Sequence, residues 1–378
     1  MSQDERDSSG MMSIAKLPDR PDVRSLRGAR VVVTGATGFI GRHLCPELQA
    51  HGASLVLFSR DARSRNGTPY PNARSVRVDL LERAAVTAAL SNVKPDVVFH
   101  LAGFVSGDRS LKAMASAFDG NVLPTASLLV GCAEAVPAAR VITTTSLDTT
   151  NPAREAALTG SAYGVSKLMV ELLSGGFAQL HGLPFVAARV GMAYGPNDPN
   201  RRRLVPAVIE TLLRGASPRL SSGQRRCDWV YVDDVVTGLM AIASARALPL
   251  PALDLGTGEL CSVREVAETI RHILSTNQPI LYDSRRDRPN EQERAADVHT
   301  TQQLLGFHTH TDLHAGLCRT IAWHRAQRMT ARVPSHAASA RERHRTFTRP
   351  SPADPAPPSA APECRMRFGT TRTARSRG

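Results

Sequence analysis

No run in this chain of 378 residues approaches the ~18 consecutive apolar residues that a membrane-spanning helix requires, so no membrane partner is expected. The opening MSQDERDSSG is polar and mixed in charge, unlike a secretory signal. Six cysteines (Cys45, Cys132, Cys227, Cys261, Cys318 and Cys364) are scattered, and no two have zinc-ligand or redox-motif spacing. No His/Cys/Asp cluster has ligand spacing either, and His100 reads as structural, so no metal site is expected. With no export signal, reduced thiols in the cytoplasm are the expectation. The chain has no internal repeat, which excludes a solenoid or repeat array.

Positive charge is plentiful but unevenly placed. The formal net charge is +13, and residues 325–378 hold twelve Arg, no Lys and three acids (Glu342, Asp354 and Glu363), a net of +9. The other 324 residues carry only +4, so the body is mildly basic and the charge belongs to a tail. That tail has Phe347 and then no aromatic until Phe368, which denies it a base-stacking platform. Non-specific electrostatic contact stays open, but a solvated tail is the simpler reading and no nucleic-acid partner is expected.

Residues 1–28 read as a disordered leader and 328–378, with its RPSPADPAPPSAAPE, as a disordered Arg/Pro-rich tail. Between them, apolar β-rich runs recur at 29–34, 54–59, 75–78, 96–102, 140–145 and 185–190, separated by stretches able to form helices. Short continuous apolar strands alternating with helices predict a parallel sheet covered on both faces. Right-handed crossovers then give an α/β, Rossmann-like, doubly wound fold over 29–190, with later segments returning to it. Residues 191–327 mix helices, at 204–215 and 263–274, with short strands and read mainly as a smaller substrate-binding lobe. Trp229 and Trp323 read as packing residues.

The first strand runs into VVVTGATGFIGRHL, with glycines at Gly35, Gly38 and Gly41. Between a strand and a helix, such glycines permit a tight turn, let the backbone approach a pyrophosphate, and allow close helix packing. The helix N-terminus then presents free N–H groups to the phosphates. The second strand ends at Ser59 and Arg60, where an NAD site usually places an acid. A guanidinium suits a 2′-phosphate, so NADP(H) is favoured over NAD(H). The alternative is that Arg60 is solvated and Asp61 takes the ribose. Asp79, followed by Leu80, is placed to meet the adenine or else to cap the next helix.

Tyr163 and Lys167 stand at i and i+4 on a helix that follows the fifth strand. A free phenol titrates near ~10, too high for a base at neutral pH. An ammonium beside it, with the cation of an oxidised nicotinamide, is expected to lower that value. The phenol then exchanges a proton with a hydroxyl or carbonyl. Ser146, at the end of TTTS, is the best candidate to polarise that oxygen.

From about 29 to 327 the chain resembles extended short-chain dehydrogenases/reductases of the sugar-nucleotide epimerase/dehydratase family. The resemblance lies in the ordered set TGATGFIG, FHLAG (99–103), TTTS then YGVSK, RVGMAYGPND (189–198), DWVYVDDVV (228–236), LDLGTGELCSVREVAE (253–268) and AADVHTTQQLLGF (295–307). It implies a catalytic triad of Ser146, Tyr163 and Lys167. It implies cofactor contacts at Gly35, Gly38, Phe39, Ile40, Gly41, Leu101, Ala102 and Gly103, besides Tyr163 and Lys167. A nucleoside-diphosphate sugar is the implied substrate, with Leu204 and Val205 near the base, Arg226 and Arg288 on the substrate side, and Ser146 at the sugar. Homodimerisation through two helices per subunit is common in the family.

Three departures stand out. Met192 replaces a frequent Asn, Cys227 replaces a frequent Arg with Arg225 and Arg226 upstream, and the link from Ser146 to Tyr163 is short. Dehydratases of this family carry Asp-Glu directly after the catalytic hydroxyl, whereas Leu147 and Asp148 follow here. The expectation is therefore NADPH-dependent reduction of a 4-keto-6-deoxysugar nucleotide, in deoxysugar biosynthesis, with an NAD-dependent 4-epimerase as the alternative. A non-catalytic dinucleotide sensor also uses this fold, but the retained Ser146, Tyr163 and Lys167 argue against one.

Overall fold

The computed structural model describes residues 26–60, 70–149, 160–287, 291 and 293–332. Asp61, Arg63, Arg288 and most of both termini lie outside the described residues. The chain begins with β1 (Arg30–Thr34), α1 (Phe39–Ala50), β2 (Ser54–Ser59), β3 (Arg74–Arg77), α2 (Arg83–Val93), β4 (Val97–His100) and α3 (Leu111–Ala117). A π turn over Phe118–Val122 leads into α4 (Leu123–Ala135), β5 (Arg140–Ser146), a 3-10 turn over Leu147–Thr149, α5 (Ala162–His181) and β6 (Phe185–Val190). Shorter elements follow: β7 (Met192–Tyr194), α6 (Leu204–Leu213), β8 (Arg219–Leu220), β9 (Arg226–Cys227), β10 (Trp229–Tyr231), α7 (Val232–Ser244), β11 (Ala252–Leu255) and β12 (Cys261–Ser262). The last are α8 (Val263–Ile273), β13 (Leu281–Tyr282), α9 (Val298–Leu305) and α10 (Leu313–Arg332).

Seven strands form one sheet in the order β11-β6-β5-β4-β1-β2-β3, and every neighbouring pair is parallel. The order reverses between β1 and β4, which opens a crevice beyond their C-terminal ends. This is the Rossmann-like α/β fold that the alternating apolar runs predict. Strand β1 is buried on both faces: Val31 and Val33 pack with Leu44, Leu48 and Ile242, while Val32 packs with Leu90, Leu128 and Leu129. The fourth strand stops at His100 rather than running to 102, because Leu101 and Ala102 turn to lie against the loop after β1.

A separate apolar cluster holds the smaller lobe, with Tyr194, Val205, Ile209, Trp229, Val266, Ile270 and Leu317 buried together. Acids of the recognisable motifs bind this lobe to the sheet. Asp228 accepts from Thr257 N (2.7 Å), Thr257 Oγ1 (2.8 Å), Gly258 N (2.9 Å) and Ala296 N (2.9 Å). Asp234 accepts from His310 N and Thr311 N, at 2.9 and 3.1 Å. Asp254 pairs with Arg294 at 2.7 Å, and Arg189 links it to Glu171. Buried Arg140 meets the carbonyls of Ile242 and Ala243 at 2.9 and 3.1 Å, satisfying the end of α7. Among the described residues no helix is long and apolar enough to cross a membrane.

Candidate active site

The loop after β1 is built for close approach. Gly35 has φ +71°, which glycine adopts without strain, and a Cβ there would lie 2.5 Å from Ala102 N. A Cβ on Gly41 would lie 2.4 Å from the Gly35 carbonyl oxygen, so the first turn of α1 rests directly on the loop. Gly38 N donates to Gly35 O at 2.9 Å, closing the turn. No side chain caps α1 at Gly38, which leaves its first N–H groups to an anion.

This loop opens into a cavity of about 670 Å³ whose walls include Gly35, Ser59, Arg60, Asp79, Leu80, Ala102 and Gly103. The size and the bare glycine backbone fit an extended dinucleotide. Phe39, Ile40 and Leu101 are not in its wall; they pack against the sheet core beside it. Asp79 accepts from Leu81 N at 3.1 Å and does not cap α2, whose N-cap is Glu82.

Two buried groups brace the segments beside the cavity. His100 Nδ1 lies 2.8 Å from Thr34 Oγ1, and Nε2 lies 3.0 Å from Thr125 Oγ1. The Thr125 hydroxyl donates to Asn121 O at 2.6 Å, so His100 Nε2–H donates to Thr125 and Nδ1 accepts from Thr34. Burial pushes His100 down to about 3, reinforced by the Lys167 charge, so the ring is neutral. Asn121, buried in the π turn, accepts from Phe104 N at 2.8 Å and donates to Ser166 Oγ at 2.8 Å. A Cβ on Gly103 would meet Asn121 Oδ1 at 2.6 Å and Lys167 Nζ at 3.4 Å. Sequence reasoning passed over Asn121; the signal was an amide inside an otherwise apolar helical run, and π turns concentrate at functional sites.

Helix α5 begins at a cap: Ser161 Oγ accepts from Gly164 N at 3.0 Å. That start places Tyr163 at the end of β5, where the Ser146 hydroxyl acts to lower its phenol. Ser146 Oγ accepts from Asp148 N at 3.2 Å, leaving its own proton to give. Lys167 is buried, with Nζ donating to Thr144 O at 2.9 Å and lying 5.8 Å from the Tyr163 ring centre. Burial lowers Lys167 to about 8. Burial pushes Tyr163 up to about 12, Asp148 adds to the rise, and Arg203 and the Ser146 hydroxyl offset it only in part.

On the substrate side, Val205 is buried in the lobe core and Leu204 packs against it. Arg226 is exposed, with its guanidinium on Leu260 O at 2.8 Å. Arg225 instead turns to the catalytic strand end, 2.8 Å from Asp148 and 3.4 Å from Glu291. Arg203, at the N-cap of α6, pairs with Asp198 at 3.0 Å and lies 5.4 Å from the Phe39 ring centre. The structure thus brings Ser146, Tyr163 and Lys167 together and adds Asp148, Arg203 and Arg225. Sequence reading did not place these three in the site; Arg225 meets Asp148 only across 77 residues of chain. Cys227 is buried opposite Cys261, and Met192 packs on the lobe core.

A doubly wound sheet with a glycine cradle at its switch point and a Ser–Tyr–Lys cluster beside it defines a dinucleotide-dependent enzyme of extended short-chain dehydrogenase/reductase type. The family model described as the NAD dependent epimerase/dehydratase family matches residues 31–251, and the chain belongs to that family. The dTDP-4-dehydro-6-deoxy-D-allose reductase of Streptomyces bikiniensis is 26% identical over 79% of this chain and 97% of its own length. The UDP-glucose 4-epimerase of Mycolicibacterium smegmatis is 28% identical, covering 78% and 98%. MoeE5, solved with UDP-glucuronic acid and NAD, is 32% identical with a TM-score of 0.69, covering 79% of this chain and 99% of that one.

Proposed function

We propose that the protein reduces a nucleoside-diphosphate 4-keto-6-deoxysugar with NADPH, using Ser146, Tyr163 and Lys167. The observation that carries this reading is the Ser59–Arg60 strand tip in the wall of the cofactor cavity. A guanidinium there suits a 2′-phosphate. In this reading the Tyr163 phenol, protonated at neutral pH, gives its proton to the carbonyl oxygen. Ser146 donates its free proton to the same oxygen, and Lys167, fixed on Thr144 O, orients the phenol's helix. The bound cofactor supplies the hydride. Leu204, Val205 and Arg226 border the substrate side in this reading.

A 4-epimerase with resident NAD is the second reading, favoured by MoeE5, whose complex contains NAD. One assay separates them: follow reduced-nicotinamide absorbance after adding a nucleoside-diphosphate 4-keto-6-deoxysugar with NADPH or NADH. Stoichiometric NADPH consumption is expected. In that case Arg60→Ala should raise the KM for NADPH about tenfold or more while barely moving that for NADH, since a charge-assisted hydrogen bond contributes ~1.5–3 kcal/mol. Tightly held NAD with no net consumption would replace the reductase with the epimerase.

The partner we assign to the outer face of α3 and α5 is a second copy of this chain. Leu111 (91% exposed), Met169 and Leu172 (68%) project from these adjoining helices, and Phe118 from the turn beside them. Sedimentation should therefore give twice the chain's 40.7 kDa, and Leu172→Glu should shift it toward the monomer.

A further inference from the structure

His43 stands on α1, one turn beyond Phe39, and both of its ring nitrogens face acceptors. Nδ1 lies 2.7 Å from Asp233 Oδ1 in the first turn of α7, and Nε2 lies 3.0 Å from the Pro196 carbonyl oxygen. A carbonyl oxygen can only accept, and so can an ionised carboxylate. A neutral imidazole carries one N–H and cannot serve both; the imidazolium serves both at once. The His43 side chain is 14% exposed, so its ring contacts are largely shut off from water.

Pro196 belongs to the turn that leads from β7 into α6. Asp198 in that turn accepts from Asn200 N at 3.0 Å and pairs with Arg203 at 3.0 Å. The Arg203 guanidinium returns to α1, 5.4 Å from the Phe39 ring centre, and Phe39 meets His43 edge-on at 5.8 Å. The turn is thus held against the cofactor helix through both Pro196 and Arg203, and only the Pro196 contact depends on a proton. Leu204 and Val205 follow directly.

We propose that His43 is a positioning residue: as an imidazolium it pins the turn before Arg203 to the helix that faces the cofactor cavity, and it releases that turn on losing its proton. The turn's bearing on substrate rests on the proposed placing of Leu204 and Val205; the clasp itself does not.

The charges around the ring agree. Burial opposes the charged form, but the Asp233 hydrogen bond, the Pro196 carbonyl and the Asp233 charge outweigh it and raise His43 above its ordinary 6.5. From the other elements, Asp198 is engaged by Arg203 and Asp234 by the His310 and Thr311 N–H groups, while Arg42 donates to Thr37 O. Tyr231, with Arg319 of α10 at its ring, is raised by burial and stays neutral. On losing its proton His43 keeps the stronger bond, that to the carboxylate. The bare Nε2 lone pair then faces the Pro196 oxygen, and attraction becomes repulsion. Because folding raises the His43 value, its contribution is whole below 6.5 and is lost as pH rises through the folded value.

The test uses the full chain without ligand. In spectra of isotope-labelled histidine, the signal absent from His43→Gln should titrate above 6.5. Asp233→Asn, at an exposed carboxylate, should bring that midpoint down. Hydrogen exchange at Asn200, Arg202 and Arg203, corrected for intrinsic rates, should quicken about tenfold in the parent between about pH 6 and 9. It should stay level in His43→Gln, which has no proton to lose. A midpoint no higher than that of free imidazole, or exchange that rises equally in both proteins, would overturn the proposal. In the reductase assay His43→Gln should raise the sugar-nucleotide KM several-fold at about pH 6 and scarcely at pH 9, with kcat nearly unmoved. A variant-to-parent KM ratio that ignores pH would reduce His43 to a structural residue and overturn the proposal as well. Exchange needs no sugar nucleotide, so an inactive enzyme with the expected exchange pattern would sink the proposed reaction and leave the clasp standing.

Discussion

Tyr163→Phe should lower turnover by ~10²–10⁴-fold, the range that a positioned general acid contributes. The substitution keeps the ring and deletes only the phenolic oxygen. Fold stability should barely change, because burial already disfavours the phenolate and phenylalanine fills the same space. Sugar-nucleotide affinity should also hold, since a group acting in the transition state moves kcat more than KM. The check is steady-state kinetics with calorimetric binding of the substrate nucleotide. Turnover within a few-fold of the parent would remove Tyr163 from the chemistry and return the sensor reading to consideration.

Asp228→Ala should be the most damaging single change to stability. The carboxylate is 2% exposed and accepts four hydrogen bonds, from Thr257, Gly258 and Ala296, gathering three segments of chain at one point. Alanine leaves buried N–H donors without an acceptor, on the order of 3 kcal/mol or more, which lowers the melting midpoint by roughly 5–10 °C. Water has little room to replace the lost oxygens: a Cβ on Gly256 would already lie 2.6 Å from Asp228 Oδ2. Asp228→Asn should recover little, because its amide would point donors at donors. Melting curves unchanged in both variants would show that the bracket is not what joins these segments.

Much of the sheet was legible because its strands are buried on both faces and so read as unbroken apolar runs, as in RVVVT and SLVLFS. The glycine loop was legible because each of its glycines answers a local steric demand. What stayed hidden was set by long-range packing. Nothing local in QRRCDW says which arginine faces the catalytic turn; strand pairing decides it, placing Arg226 outward and Arg225 across to Asp148. The phenol's upward shift was equally invisible, since it depends on burial that many distant residues create. The acids of DWVYVDDVV stand out in the sequence, and Asp228 and Asp234 turn out to be brackets for backbone N–H groups.

The edge of the sheet has a consequence for how the chain matures. Strand β6 gains its outer neighbour only when β11 arrives, pairing Ala187 with Ala252 and Val190 with Leu255. The 61 residues from 191 to 251 must emerge from the ribosome first, roughly 3–12 s of synthesis at usual rates. During that interval β6 is a parallel edge with open hydrogen bonds, the kind of surface that recruits stray strands. Cutting the gene after residue 190 would make that transient exposure permanent, so a fragment ending there should clump rather than serve as a minimal nucleotide-binding module.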